Sequence, residues 1–222
     1  MLYIVATPIG NLKDISQRAI ETLKQADLIL AEDTRSAGKI LQILGITDKR
    51  VTSFFEHNEE QKIQSIIEFL KMDKSVALIS DGGTPLISDP GYKLVRECHK
   101  EKIQVVPIPG ASAVVTALCA SGMPSDKFTF IGFLPKSSGK QATLLKNLKE
   151  LQDSIKTSII IYESPYRLVK TLNEIKNIFG DITVCVACEM TKLFENITTD
   201  KIDILISKYS TKSPKGEFTI IL

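Results

Sequence analysis

Two histidines and four cysteines are all the imidazole and thiolate ligands that this 222-residue chain offers. The sequence has one C-x-x-C pair, Cys185-Val186-Ala187-Cys188, and no second, whereas a closed structural zinc site needs four ligands. That pair lies in the β-like run 182–188, where residues three apart point to opposite faces. Buried, reduced thiols are therefore expected, and no metal. Charge of one sign is lacking too: 28 Lys and Arg against 26 Asp and Glu leave a formal +2. Without a basic excess, any contact with nucleic acid has to be local. Long apolar runs are missing as well. The opening run 2–6 is shorter than a signal peptide's apolar segment and follows no basic residues, so a cytoplasmic protein without a membrane span is expected. No fixed-period repeat, low-complexity stretch or charge block occurs. Nor is there a G-x-G-x-x-G after the first strand or a G-x-x-x-x-G-K-[ST], which weakens dehydrogenase and P-loop readings.

What is present is the composition of a folded protein, 43% hydrophobic and 24% charged. Short β-rich runs alternate with longer amphipathic segments, the pattern of strands joined by helical crossovers. Strands are expected at 2–6, 27–31, 50–54, 75–80 and 103–106, mostly as continuous apolar runs suited to burial on both faces. Asp14 precedes one helical pattern, Asn58 with Gln61 resembles a capping box before another, and Gly45 ends the helix between them. A small-residue helix follows over 111–120, and the Gly and Pro of 121–125 mark a linker. The fold class is α/β, with an N-terminal α/β domain over 1–121 on a largely parallel sheet. A C-terminal α/β domain with a mixed sheet is expected over 122–222. Its strands are expected at 128–133, 158–162, 182–187 and 218–222, with helices near 141–151 and 165–178.

Ligands of open α/β sheets bind beyond the carboxyl ends of the strands. Three loops there are unusual. Thr7-Pro8-Ile9-Gly10-Asn11 joins two conformational punctuators to polar groups. The run from Asp81-Gly82-Gly83-Thr84-Pro85 through Ile87 and Ser88 to Gly91 is long, and its glycines admit close backbone approach. In 107–113 a strand ends and small residues open a helix whose free amides and Ser112 hydroxyl can meet a polar ligand. The residues alone thus describe a small-molecule site built from several βα loops.

Taken together, 3–12, Ala31-Glu32-Asp33-Thr34-Arg35, the 81–91 loop, 107–113, Gly132-Phe133-Leu134-Pro135 and Tyr162-Glu163-Ser164-Pro165 closely resemble the ribosomal RNA small subunit methyltransferase I family, within the tetrapyrrole methylase superfamily. The resemblance spans essentially the whole chain. It implies two α/β domains with S-adenosylmethionine in the cleft between them, a homodimer, and no metal. The implied reaction is 2′-O-methylation of a cytidine ribose in small-subunit (16S) ribosomal RNA, naked or in the assembled subunit. Carried over residue by residue, Pro8, Asp81, Gly82, Gly83, Thr84, Ile87 and Ser88 line one side of the cofactor, with Ser112 and Ala113 beneath. Tyr162, Ala187 and Thr219 close the other side. A carboxylate is expected to help deprotonate the ribose hydroxyl, with Glu32, Asp33, Glu163 and Glu189 as candidates. Asp33 and Glu163 have an equal claim as helix caps or partners of Arg35 and Arg167. For RNA, Arg35, Lys136, Lys140 and Lys192 are candidate phosphate contacts, and Phe133 and Tyr166 candidate stacking rings.

Three departures from the family pattern stand out. Gly82 replaces the usual alanine of Asp-Ala-Gly-Thr-Pro, Cys188 replaces an arginine, and the chain ends at Leu222, where relatives commonly continue into a small helical extension thought to hold RNA. Two rival functions share the resemblance: methylation of a tetrapyrrole or other small molecule, and a non-catalytic module that binds S-adenosylmethionine or RNA.

Overall fold

The computed structural model describes residues 1–211 and 214–222. The chain divides into two compact units, Met1–Ser112 and Ala113–Leu222. In the first unit β1 (Leu2–Val5), α1 (Gln17–Gln25), β2 (Leu28–Ala31), α2 (Thr34–Ile43), β3 (Val51–Ser53), α3 (Glu59–Lys71), β4 (Val76–Ile79), α4 (Tyr92–Lys100) and β5 (Val105–Ile108) follow in order. The strands form a 5-stranded sheet, β3-β2-β4-β1-β5, in which every pairing is parallel. Both faces are covered, which explains the unbroken apolar runs of β2 and β4. Ile29, Ala31, Ala77 and Ile79 pack against Leu23 and Leu41 of α1 and α2. The alternate residues Leu28, Leu30, Val76 and Leu78 pack against Ile67, Leu70 and Leu94 of α3 and α4. Each fully buried Leu, Ile or Val among them contributes about 1.5–3 kcal/mol. Because the strands are parallel, their carboxyl ends share one edge, and the loops singled out in the sequence all lie there.

The second unit comprises α5 (Ala113–Ser121), β6 (Phe128–Phe133), α6 (Ser138–Ile155), β7 (Ser158–Glu163), α7 (Leu168–Phe179), β8 (Thr183–Cys188), β9 (Asn196–Lys201), α8 (Ile202–Ser210) and β10 (Phe218–Ile221). Its sheet, β6-β7-β10-β8-β9, is mixed: β6 and β7 run parallel, and the remaining pairs are antiparallel. Ile159, Ile161, Val184, Val186 and Ile220 face a core shared with Leu145, Leu172 and Leu205 of α6, α7 and α8. The residues between them point to the opposite face, and α5 packs against β8, β9 and β10.

Several expectations need correction. The small-residue helix α5 belongs to the second unit, so the boundary falls at Ser112 and Ala113 and not after residue 121. It lies against strands of the second sheet, and chain order does not reveal that. β5 lies two residues later than 103–106 and includes Pro107, tolerated because β5 is an edge strand needing no amide on its open side. Asp14 ends a 3₁₀ turn, and Ser16 caps α1 by accepting from the Ala19 amide. Asn58 forms no capping bond; its Oδ1 accepts instead from Phe55 N at 2.9 Å. β9 and α8 were not anticipated at all. Gly45 does end α2, in the left-handed region at φ +65°.

Candidate active site

The β4–α4 loop is held to its neighbours through the backbone. Thr7 N donates to Gly83 O and Gly83 N to Thr7 O, both at 2.9 Å. The Thr84 hydroxyl donates to Ala111 O at 3.1 Å. Loops after β1, β4 and β5 are thereby joined within the first unit. Glycine is required for this approach at Gly83, whose φ is +90°. Gly82 faces solvent, and a Cβ there would stand 3.2 Å from Pro8 O, a contact that a small shift relieves. Leu86 and Ser88 adopt φ of +75° and +65° without being glycine. Such residues cost about 1–3 kcal/mol each and persist where the surroundings over-determine them, most often at ligand sites. Ile87 between them is exposed. Pro8 is buried, whereas Ser112 and Ala113 are half-buried at the start of α5.

The four candidate carboxylates fall into different environments. Glu32, at the end of β2, is half-buried, and no hydrogen bond to its carboxylate occurs among the described residues. Burial first, then the negative charges of Asp89 and Asp81, push its pKa above the ordinary value. Asp89 is also raised, chiefly by burial. Asp81 Oδ1 accepts from Asp33 N at 3.4 Å, so the β2 and β4 loops meet at this carboxylate group. Asp33 itself caps α2, its Oδ1 accepting from Arg35 N at 2.8 Å and its Oδ2 lying 3.1 Å from the Arg35 guanidinium. That hydrogen-bonding guanidinium lowers its pKa.

Glu163 is buried, accepting from Thr171 Oγ1 at 2.6 Å and Ser164 N at 2.8 Å with Arg167 Nε at 3.6 Å. Arg167 continues to the carbonyls of Leu134 and Pro135. Glu189 stands 3.0 Å from Lys192 Nζ and accepts from Glu217 N at 3.1 Å. Burial raises its pKa, but the Lys192 ammonium and the Glu217 amide outweigh that and leave it lowered. Of the four, only Glu32 keeps a carboxylate both free of hydrogen-bonded partners and shifted toward neutrality.

In the second unit the expected cofactor residues form one row. Thr219 of β10 pairs with Tyr162 of β7 on one side and Ala187 of β8 on the other. Phe133 extends the row beyond Tyr162, with ring centroids 5.8 Å apart. Tyr166 is 97% exposed and Phe133 is exposed beside the Lys136–Lys140 segment, both lysines reaching solvent. Lys192 does not share that freedom, being paired with Glu189 and Glu217. Cys185 and Cys188 both lie on β8, as the alternation predicts. Among the described residues, no cluster of three or more His, Cys, Asp or Glu suits a metal, and no helix is long and apolar enough to cross a membrane.

A family model described as "Tetrapyrrole (Corrin/Porphyrin) Methylases" matches residues 1–205. The Haemophilus influenzae protein named "Ribosomal RNA small subunit methyltransferase I" is 48% identical over 100% of this chain and 78% of its own length. The protein of that name from Thermotoga maritima is 47% identical over 100% of this chain and 97% of its own length, and that from Escherichia coli O157:H7 45% identical over 100% and 77%. The chain belongs to the ribosomal RNA small subunit methyltransferase I family of tetrapyrrole methylases. A member of this family is a methyltransferase and draws on a methyl donor. The crystal structure of a diphthine synthase matches this tetrapyrrole methylase fold with a TM-score of 0.77 at 20% identity, covering 100% of this chain and 89% of that one. Because a relative of nearly the same length carries the family name, the longer relatives' additional residues are not common to the whole family.

Sequence reasoning missed two residues of this edge. Asp89 has a signal, an acidic residue inside an unusually long loop. Glu59, which accepts from Gly91 N at the far end of that loop, has none beyond its place next to Asn58.

Proposed function

We propose that this methyltransferase transfers a methyl group from S-adenosylmethionine to the 2′-hydroxyl of a cytidine in small-subunit ribosomal RNA. Identity of 48% along the full chain to a protein named for that RNA carries the reading. The first unit's geometry fits the donor. Gly82 leaves backbone exposed, Gly83 is buried with its amide and carbonyl both bonded to Thr7, Thr84 fixes the loop on Ala111, and Ser112 stands at the start of α5. Small side chains and backbone groups of this kind can grip an amino acid and a nucleoside without crowding the reacting methyl. Pro8, Asp81, Ile87, Ser88 and Ala113 belong to the same proposed contacts. The Thr219, Tyr162 and Ala187 row supports treating those residues as one donor-facing surface of the second unit.

The donor supplies an electrophilic methyl, so the protein's task is alignment of the attacking oxygen and removal of its proton. We assign the proton to Glu32, whose raised pKa strengthens it as a base relative to an ordinary carboxylate. Asp33, Glu163 and Glu189 are assigned to structure. Arg35, Lys136 and Lys140 are assigned to RNA phosphates, Phe133 and Tyr166 to a stacked base, and Lys192 a lesser part. The same reading includes a cytoplasmic homodimer, the dimer being testable by light scattering.

The test is transfer of labelled methyl from S-adenosylmethionine, offered separately with naked small-subunit RNA, assembled subunits and a tetrapyrrole precursor, followed by mapping of any labelled nucleotide. Label on a cytidine ribose is expected. Label on the tetrapyrrole alone would sink the proposal, and donor binding without transfer to any acceptor would point to a binding module.

A further inference from the structure

The β4–α4 loop is fixed at its start by Thr7 and Ala111, but its two left-handed residues, Leu86 and Ser88 on either side of Ile87, lie beyond those ties. Within the loop Ile87 N donates to Thr84 O at 3.4 Å and Asp89 is hydrogen-bonded to the Ser80 side chain, and a tie to another helix comes at Gly91. Its amide donates to Glu59 Oε2 at 3.3 Å, and Glu59 Oε1 lies 3.0 Å from Lys93 Nζ. Glu59 is only 3% exposed, so its charge is held away from water by these two partners. It sits in the first turn of α3 and also touches the residue that begins α4, so one carboxylate serves the positive ends of two helices. Gly91 has φ +127°, and a Cβ there would lie 2.6 Å from Leu78 and 3.2 Å from Leu86. The chain is thus pressed onto β4 and onto the left-handed Leu86 at the point where Glu59 holds it. Lys93 is kept charged well above its ordinary range, first by its hydrogen bond to Glu60 and then by that to Glu59.

We propose that Glu59 is a positioning residue for methyl-donor binding, clasping Gly91 and Lys93 so that the 86–88 segment keeps its donor-ready conformation. The inference rests on the donor site proposed above. A carboxylate buried between a loop end and two helix starts does what a hydrophobic residue there would not: it fixes direction as well as position. Without it, the strained segment has a relaxed alternative, and donor affinity falls by the fraction of time spent there.

The test measures S-adenosylmethionine binding by calorimetry, donor KM and kcat, and amide exchange over residues 82–92, for wild type, Glu59→Ala, Glu59→Gln and Lys93→Met. If Glu59→Ala leaves the donor-ready state occupied a tenth of the time, Kd and donor KM rise about tenfold while kcat stays within about twofold. Glu59→Gln, still able to accept from Gly91, should lie within about threefold of wild type. Lys93→Met should fall between, and supplies the answer if Glu59→Ala does not fold. Faster exchange should be confined to the 82–92 loop and the first turn of α4. Folded variants with wild-type donor KM and exchange would overturn the proposal, as would equal losses of kcat and stability with KM unchanged. Failure of wild type to bind the donor would overturn the functional reading instead, and the exchange data would then decide alone whether Glu59 holds the loop.

Discussion

Thr7 and Gly83 exchange a reciprocal pair of backbone hydrogen bonds, 2.9 Å in each direction, tying the end of β1 to the turn after β4. The bonds depend on a backbone that only glycine adopts freely, since φ at Gly83 is +90°. The neighbouring Gly82 has no such requirement.

The two glycines should therefore respond oppositely to alanine. Gly83→Ala forces a side chain into the left-handed region with Ile9 Cγ2 at 3.4 Å, so a loss of more than about 1 kcal/mol is expected, with weaker donor binding. Gly82→Ala needs only a small shift from Pro8 O and reduces the freedom of the unfolded chain, so stability should stay within about 0.5 kcal/mol of wild type. Denaturant melts and donor titration of the two variants check the contrast; equal effects would contradict it.

Glu32 gives a prediction in pH. A base acts when deprotonated, so kcat/KM should rise with pH through the Glu32 pKa, along a limb displaced above its ordinary 4.5. Asp89→Asn removes a like charge and should move that limb toward lower pH. Glu32→Gln should lower kcat by about 10²-fold or more with donor Kd unchanged. Stability runs the other way. A raised folded-state pKa gives stability that is full below the unfolded value and is lost as pH rises through the folded one. At neutral pH, Glu32→Gln should consequently raise the melting temperature while abolishing the limb. A limb that persists in Glu32→Gln would assign the base elsewhere.

How much of this could be read in advance depends on the range of the interactions. β2 and β4 were legible because burial on both faces leaves unbroken apolar runs, Leu28–Ala31 and Val76–Ile79. β9 was not, because Asn-Ile-Thr-Thr-Asp-Lys is a partly exposed edge strand whose partner, β8, dictates its conformation. The glycine loop announced itself by length and composition. The environments separating Glu32 from Asp33, Glu163 and Glu189 come from residues distant in the chain or from helix geometry, and no local pattern encodes Glu32 meeting Asp89. Glu59 clasping Gly91 is likewise a contact between separate helix starts.

Glu163 should prove structural. Its carboxylate joins Thr171, Ser164 and Arg167 in the core of the second unit, where Gln141 Nε2 also donates to Thr171 Oγ1 at 3.3 Å. Glu163→Ala leaves Arg167 and Thr171 without that partner, and a loss of about 3 kcal/mol is expected. The fraction that stays folded should keep kcat within a few-fold. A stable Glu163→Ala protein with collapsed turnover would restore this residue as a candidate base.

The lysines divide by whether a carboxylate already holds them. Lys136 and Lys140 reach solvent around the start of α6, next to exposed Phe133, and no ion pair to either occurs among the described residues. If they meet phosphates, each change to alanine should weaken RNA binding and flatten the log Kd against log salt slope by about 0.7–0.9. Phe133→Ala and Tyr166→Ala should weaken binding by about 1–3 kcal/mol each if they stack bases, without altering that slope. Lys192 bridges Glu189 and Glu217 at 3.0 and 2.9 Å, so most of its charge is already answered within the protein. Lys192→Ala should leave the slope nearly unchanged and lower stability instead. Titrations of single-stranded small-subunit RNA across a salt series separate these outcomes. A larger slope change for Lys192 than for Lys136 would move the RNA surface away from the start of α6 and toward the β8–β9 turn.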